Sequence, residues 1–304
     1  MQKFLILATA VLLFASCSNN NYRKTKSGLL YKIVTEGKGP QVKLGQLMKL
    51  QFSQKVRDSV VVSSFESGLP VYAKVDSVGD VYNVLEILPM LHKGDSVVVV
   101  EIGDTLQRKG LLPPFMKQSD KRTWSLKVED IFDNAEAADK DRNAAMENYK
   151  NSQVTAFEKY MANKKDLKKS PSGTYVDVQN PGEGPMVDSG KLVTVHYTGR
   201  LMSNEKVFES SINTPGAQPY QFVIGQMGAI AGWDEGLRFF HKGGKGVLYV
   251  PFQMAYADRP GPGGLPFQNL IFDVQIVDVQ NAPPMSPNQM MPPQVVPDTT
   301  TRRK

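Results

Sequence analysis

The sequence predicts an α+β protein: two antiparallel β-sheet domains, each with a short helix packed on its sheet, joined by a long helical linker. Three observations carry that prediction. A frame of short words occurs twice along the 304 residues. Ser27-Gly28 returns as Ser172-Gly173, and residues 47–52 have an echo in 192–197. His92-Lys93-Gly94 repeats as His241-Lys242-Gly243, and 124–132 finds its counterpart in 270–279. Second, β-branched or alternating runs bounded by Gly, Pro, Asp or Ser fill both copies, which is how strands read. Third, the segment between the copies has no Gly or Pro and shows apolar residues at helical spacing. The length agrees, since two domains take ~150 residues apiece.

In chain order, the first segment stands outside the fold. Lys3 precedes an apolar run over residues 4–14, then Ala15-Ser16-Cys17 and the polar run Ser18-Asn19-Asn20-Asn21. A basic start, an apolar centre and small residues before a cut are the parts of a secretory signal. The run is well short of the ~20 apolar residues of a membrane-spanning helix. Residues 1–17 are therefore read as a leader. Cys17 is the only cysteine, so the sequence predicts neither a disulfide nor a thiolate metal site.

Residues 27–132 form the first copy, with strands expected over 29–34, 47–56, 97–101 and 124–132. Residues 133–169 follow as the helix. Asp133 and Glu136 have the spacing of a capping box. Met146, Tyr149, Val154, Phe157, Tyr160 and Met161 make its stripe, and Lys164, Lys165, Lys168 and Lys169 suit its C-terminal end. One reading docks that stripe on a neighbouring domain; the other pairs it with a second copy in a homodimer. Pro171-Ser172-Gly173 breaks the helix before the second copy, residues 170–280. There, strands are expected over 175–179, 191–201, 220–224, 246–251 and 270–279, with a short helix over 233–240. Residues 281–304, rich in Pro, Met, Thr and Gln, lack any period and read as a disordered tail.

The formal charge of +6 is spread along the chain and comes with no recognition motif, which excludes nucleic acid as a partner. His92, His196 and His241 are too dispersed for a metal site. His196 adjoins Tyr197 and so points to the other face of its strand, a structural place. No cofactor is implied.

The second copy carries Val195-His196-Tyr197-Thr198-Gly199, Val207-Phe208-Glu209-Ser210-Ser211 and Phe222-Val223-Ile224-Gly225 in that order. Ala229-Ile230-Ala231-Gly232-Trp233-Asp234-Glu235-Gly236, Ala255-Tyr256 and Leu270-Ile271-Phe272-Asp273-Val274 follow. In order and spacing these words resemble the FKBP-type peptidyl-prolyl cis–trans isomerases. The resemblance covers about a third of the chain strongly and another third weakly, through the first copy. It implies that Trp233 floors a proline pocket walled by Tyr197, Phe208, Tyr220, Phe222 and Phe272. Ala229 and Ile230 stand at the lip, with the Ile230 N–H facing a substrate carbonyl. Tyr256 is implied as a second donor, Glu209 as an acceptor for Tyr197, and Leu265 as part of the loop that closes over ligand.

Such a pocket suits the chemistry. Rotation about an amide costs ~18–20 kcal/mol because conjugation is lost, so X–Pro bonds isomerise unaided in tens to hundreds of seconds. The twisted state is less polar than the planar one. Apolar walls with one or two donors favour it without acid, base, thiol or metal.

The sequence departs from the family pattern at the rim. Ala257 replaces the usual Gly after Ala-Tyr, Leu265-Pro266-Phe267 is a residue short, and Ala231 is smaller than usual. In the first copy Val84 matches Trp233, Asn83 matches Gly232 and Phe52 matches Tyr197, while 103–114 holds no equivalent of Ala255-Tyr256. That copy is expected to be a degenerate FKBP-like domain without isomerase activity. Phe14-Ala15-Ser16-Cys17 resembles a bacterial lipobox, which implies a lipidated Cys17 and a membrane anchor that does not span. The expected protein is a lipid-anchored isomerase facing the periplasm from the outer membrane, with proline-containing unfolded envelope proteins as clients. The alternative is a non-enzymatic chaperone or assembly lipoprotein that grips such segments in the same pocket.

Overall fold

The computed structural model describes residues 21–77, 79 and 81–283. The leader with Cys17 and the tail from residue 284 lie outside the described residues. The chain divides into two compact units, with the division between Tyr149 and Lys150.

The first unit is a seven-stranded antiparallel sheet of β1 (Arg23–Lys24), β2 (Leu30–Thr35), β3 (Leu47–Val56), β4 (Ser59–Ser63), β5 (Val71–Lys74), β6 (Ser96–Ile102) and β7 (Lys121–Phe132). Its order is β1-β2-β6-β7-β3-β4, with β5 also on β3. The second unit has β8 (Lys168–Lys169), β9 (Tyr175–Asn180), β10 (Lys191–Leu201), β11 (Val207–Ser210), β12 (Tyr220–Val223), β13 (Lys245–Val250) and β14 (Leu270–Asn281). Its order, β8-β9-β13-β14-β10-β11 with β12 also on β10, is the same topology repeated strand for strand.

The repetition extends to irregular features. β3 slips register against β7 between Lys49 and Leu50, as β10 does against β14 between Thr194 and Val195. A second bulge falls at Gln54/Lys55 in one unit and at Gly199/Arg200 in the other. Bulges of this kind bend a strand and re-aim its side chains. The Ser64 hydroxyl accepts from the Phe52 N–H at 2.7 Å, and Ser211 does the same for Tyr197 at 2.9 Å. His92 and His241 occupy matching isolated bridges, to Gln41 and Met186, as the repeated word predicts.

Alternation along the central strands makes each core. β6 buries Val97 and Val99 against Met48, Leu50, Leu126 and Ile87 in the first unit. In the second, Val193, Val195, Leu248, Val274 and Ile276 do the same beneath Leu237 and Phe240. The first unit carries α1 (Ser64–Ser67), α2 (Gly103–Arg108) and a 3-10 helix over Val84–Met90.

The long helix is α3 (Ala135–Ala162). Its cap is one residue later than the expected Asp133: the Asn134 Oδ1 accepts from the Ala137 N–H at 2.9 Å. The Asp133 carboxylate accepts instead from Gln46 Nε2. Rather than a free connector, each half of α3 belongs to a unit. In the first unit Asp141 pairs with Lys49 at 2.8 Å and accepts from the Tyr72 hydroxyl. In the second, Phe157 and Met161 are buried on Met202, Val247, Tyr249 and Ile271, and the Gln153 carbonyl accepts from Asn269. Those stripe residues thus face the chain's own sheet.

Candidate functional site

The floor of the pocket rests on α4 (Ala231–Gly236), which a 3-10 turn over Leu237–Phe239 continues. Two glycines let this helix lie close on β13. A Cβ on Gly232 would meet Val250 Cγ1 at 2.4 Å, and one on Gly236 would meet Leu248 Cδ2 at 2.8 Å. The approach sinks Trp233 until it is 4% exposed. The expected start at residue 233 falls two residues late, because Ile230 precedes the helix without a side-chain cap that a sequence could signal.

Trp233 is ringed by aromatics. Its ring centroid lies 5.0 Å from that of Tyr197 and 5.1 Å from that of Phe272, both edge-to-face. Phe222 stands at 5.9 Å and Tyr220 at 6.3 Å. Phe208 meets Phe272 edge-on at 5.9 Å. Edge-to-face arrangements at these distances are favourable beyond the area they bury. Phe222 and Phe272 are mostly core, whereas Tyr220, 43% exposed, stands on the rim. The Tyr220 hydroxyl donates to the Gly228 carbonyl at 2.5 Å and so fixes the lip segment.

Gly199 makes the basket possible. A Cβ there would fall 2.4 Å from Phe208 Cζ and 3.0 Å from Phe272 Cε1. β10 therefore contributes an absent side chain as well as Tyr197.

Polar groups are few and aimed. Burial, reinforced by the nearby Glu209 carboxylate, pushes the Tyr197 hydroxyl well above the ordinary tyrosine range. It stays protonated at any physiological pH. Ala229, Ile230 and Tyr256 pack half-buried against the same core. The Ile230 carbonyl accepts from the Trp233 N–H at 2.9 Å, while its own N–H has no partner among the described residues. The Trp233 indole N–H likewise has none. His196 turns from the pocket to Ser211, 3.1 Å from its hydroxyl. Among the expected apolar and aromatic residues, Leu265 alone is neither packed on this core nor in ring contact with Trp233. It lies in the 255–267 loop, where its carbonyl accepts from the Gly261 N–H. Phe267 does the packing there, edge-on to Phe252 at 5.3 Å.

Comparison with known proteins gives the family of the second unit. The family profile described as FKBP-type peptidyl-prolyl cis-trans isomerase matches residues 184–277. An FK506-binding protein of Streptomyces anulatus is 38% identical over 100 residues, which are 32% of this chain and 79% of that protein. The chain belongs to the FKBP-type peptidyl-prolyl cis–trans isomerase family. A probable FKBP-type peptidyl-prolyl cis-trans isomerase of Haemophilus influenzae is 37% identical over 124 residues, 40% of this chain and 49% of the relative. The chain thus spans about half that relative's length. The crystal structure of FkpA from Escherichia coli aligns with a TM-score of 0.42 at 31% identity, over 49% of this chain and 70% of that one.

Against the FKBP pattern, the departure at Ala257 has a measurable cost. Its φ is +54°, the left-handed region where a Cβ costs roughly 1–2 kcal/mol and the usual glycine fits freely. The conformation holds because the Ala257 N–H donates to Phe252 and its carbonyl accepts from Phe267, both at 2.8 Å. Ala257→Gly is expected to raise the thermal midpoint of this unit. The relieved strain exceeds the ~0.4–1 kcal/mol of added unfolded-chain entropy.

The first unit shows what the same frame becomes without the FKBP basket. Strand register puts Trp124 where Phe272 stands, Gln54 at Gly199 and Val62 at Glu209. Glu101 and Arg122 face each other as Val250 and Leu270 do. Glu101 is fully buried. One of its oxygens accepts from Arg122 and, at 2.8 Å, from Trp124 Nε1. A buried ion pair thus takes the places of Val250 and Leu270, and one indole the place of the Phe272 wall. Sequence reasoning found the missing tryptophan at Val84 but not this pair, whose members lie 21 residues apart and meet only through the β6–β7 register.

Proposed function

We propose that the second unit catalyses cis–trans isomerisation of X–Pro bonds in unfolded clients. The observation that carries this reading is the Trp233-centred basket, with a free Ile230 N–H at its lip. A prolyl ring can seat on the indole between Tyr197, Phe208 and Phe272. The Ile230 N–H, with the Tyr256 hydroxyl, can hold the flanking carbonyls while the C–N bond turns. The catalytic roles assigned to Tyr197, Phe208, Glu209, Ile230, Trp233 and Tyr256, and the binding roles assigned to Tyr220, Phe222, Ala229, Leu265 and Phe272, belong to this proposal. Leu265 would act only on loop closure. No bond to the enzyme forms and no proton moves, so the rate gain comes from favouring the twisted, less polar state.

In the same reading Cys17 carries lipid, the chain sits on the outer membrane facing the periplasm, and clients are envelope proteins passing it unfolded. The first unit does no isomerisation. The full chain is expected to accelerate relaxation of a proline tetrapeptide after a solvent jump. Tyr256→Phe and Trp233→Ala should slow it, with folding checked by circular dichroism. A folded protein giving no acceleration would sink the enzyme reading. A second reading, a holdase, draws on the exposed edge strand β4, where Val60, Val61 and Val62 all face solvent. Suppression of client aggregation that survives both substitutions would favour it.

A further inference from the structure

The outer face of the first unit's sheet carries a charge pattern that the isomerase reading does not use. Residues directly opposite one another across a sheet share a face. Register therefore lines up Lys24, Leu30, Val100, Thr123 and Lys55 on one rung. The next rung runs Lys32, Val98, Ser125 and Ser53. Lys127 lies opposite Ser96, and Lys121 opposite Ile102. The core-facing side chains Val97, Val99 and Leu126 alternate with these and point the other way.

Five lysines thus stand on one sheet face, and no carboxylate shares their rungs. Lys24, Lys55, Lys121 and Lys127 are exposed and Lys32 is half-buried. The ion pairs of this unit engage other lysines, Lys49, Lys74 and Lys93. Among the described residues none of the five has an ion-pair partner. Between them runs a half-buried apolar strip of Val98, Val100 and Ile102. In the second unit the matching face is different: Val247, Tyr249 and Ile271 lie under Phe157 and Met161 of α3, and Asp177 and Asp273 share its rungs.

We infer that this lysine face docks on an anionic phospholipid surface. Charge complementarity is one support, since each lysine near such a surface adds roughly 1 kcal/mol of attraction. The second is tether length. Six residues lie between Cys17 and Lys24, so the face lies at most about 25 Å of chain from a lipid on Cys17. This second support rests on the proposed lipidation; the charge pattern does not. Docking would hold the first unit flat on the membrane.

The chain from Ser18 onward, made without its leader and hence unlipidated, tests the face by itself. It is expected to co-sediment with vesicles of equal parts phosphatidylglycerol and phosphatidylcholine at low salt. It should not sediment with phosphatidylcholine alone, and molar salt should release it. Lys24→Gln, Lys32→Gln, Lys55→Gln, Lys121→Gln and Lys127→Gln together should weaken binding by on the order of a thousandfold, at roughly fivefold each, with an unchanged circular dichroism spectrum. Equal binding to both vesicles, equal binding by the five-lysine variant, or binding to heparin but not to vesicles would overturn the inference. The mass of the mature N-terminus tests the lipid separately, so either idea can fail without the other.

Discussion

Arg122→Leu is expected to destabilise the first unit by about 3–5 kcal/mol, the usual result of stripping a buried carboxylate of its countercharge. Glu101 has no exposed surface, and Arg122 keeps 16% of its side chain in water. With the guanidinium gone, Glu101 retains only the Trp124 indole as donor, and its other oxygen already has no partner. A loss of that size is a large fraction of the ~5–15 kcal/mol that holds a typical domain. The compensating change is written in the second unit, where register places Val250 and Leu270 at these positions. Glu101→Val combined with Arg122→Leu should recover most of the loss, because apolar replacement of a buried pair is often neutral or stabilising. The freed Trp124 N–H keeps the recovery from being complete. The two tryptophans of the chain fall one in each unit, so denaturation followed by fluorescence with Trp233→Phe as background reports the first unit alone. An Arg122→Leu protein as stable as the unsubstituted one would show that the pair carries no structural weight.

How much of this was legible in the sequence varies with the physics of each element. The strands Leu47–Val56 and Lys191–Leu201 were readable end to end, because long strands packed on a core alternate for their whole length. β4 and β5 were not, since a short edge strand with Val60, Val61 and Val62 all in solvent has no alternation to display. The helix cap moved from Asp133 to Asn134 because both residue types cap equally well and only the backbone decides. The pocket residues were legible as words held at fixed spacing. Their organisation was not. Nothing in a sequence says that Gly199 is where two phenyl rings converge, or that a charge on β6 meets one on β7. Both are products of register, which pattern alone fixes only to a face.

Gly199→Ala is expected to reduce isomerase turnover at least tenfold while leaving the fold in place. The added methyl would lie within 2.6 Å of two atoms of the Phe208 ring and 3.0 Å from Phe272. Real Cβ atoms do not approach so closely, so something must move. Phe272 is locked edge-to-face on Trp233 at 5.1 Å and is 5% exposed. Phe208 is half-exposed on short β11, and it is the ring that yields. Its displacement opens the wall opposite Trp233 to water and costs about 1–3 kcal/mol of stability, as overpacking does. Displacements of an ångström at a site that works by orientation cost up to about a hundredfold in rate. The protease-coupled and relaxation assays with a proline tetrapeptide should show kcat/KM falling, and circular dichroism should show little change. Phe208→Leu added to Gly199→Ala removes the colliding atoms. If crowding is the cause, the double variant should regain part of the activity lost by the glycine substitution alone. If it stays as slow as the single variant, the wall matters for the ring it presents and not for the space behind it.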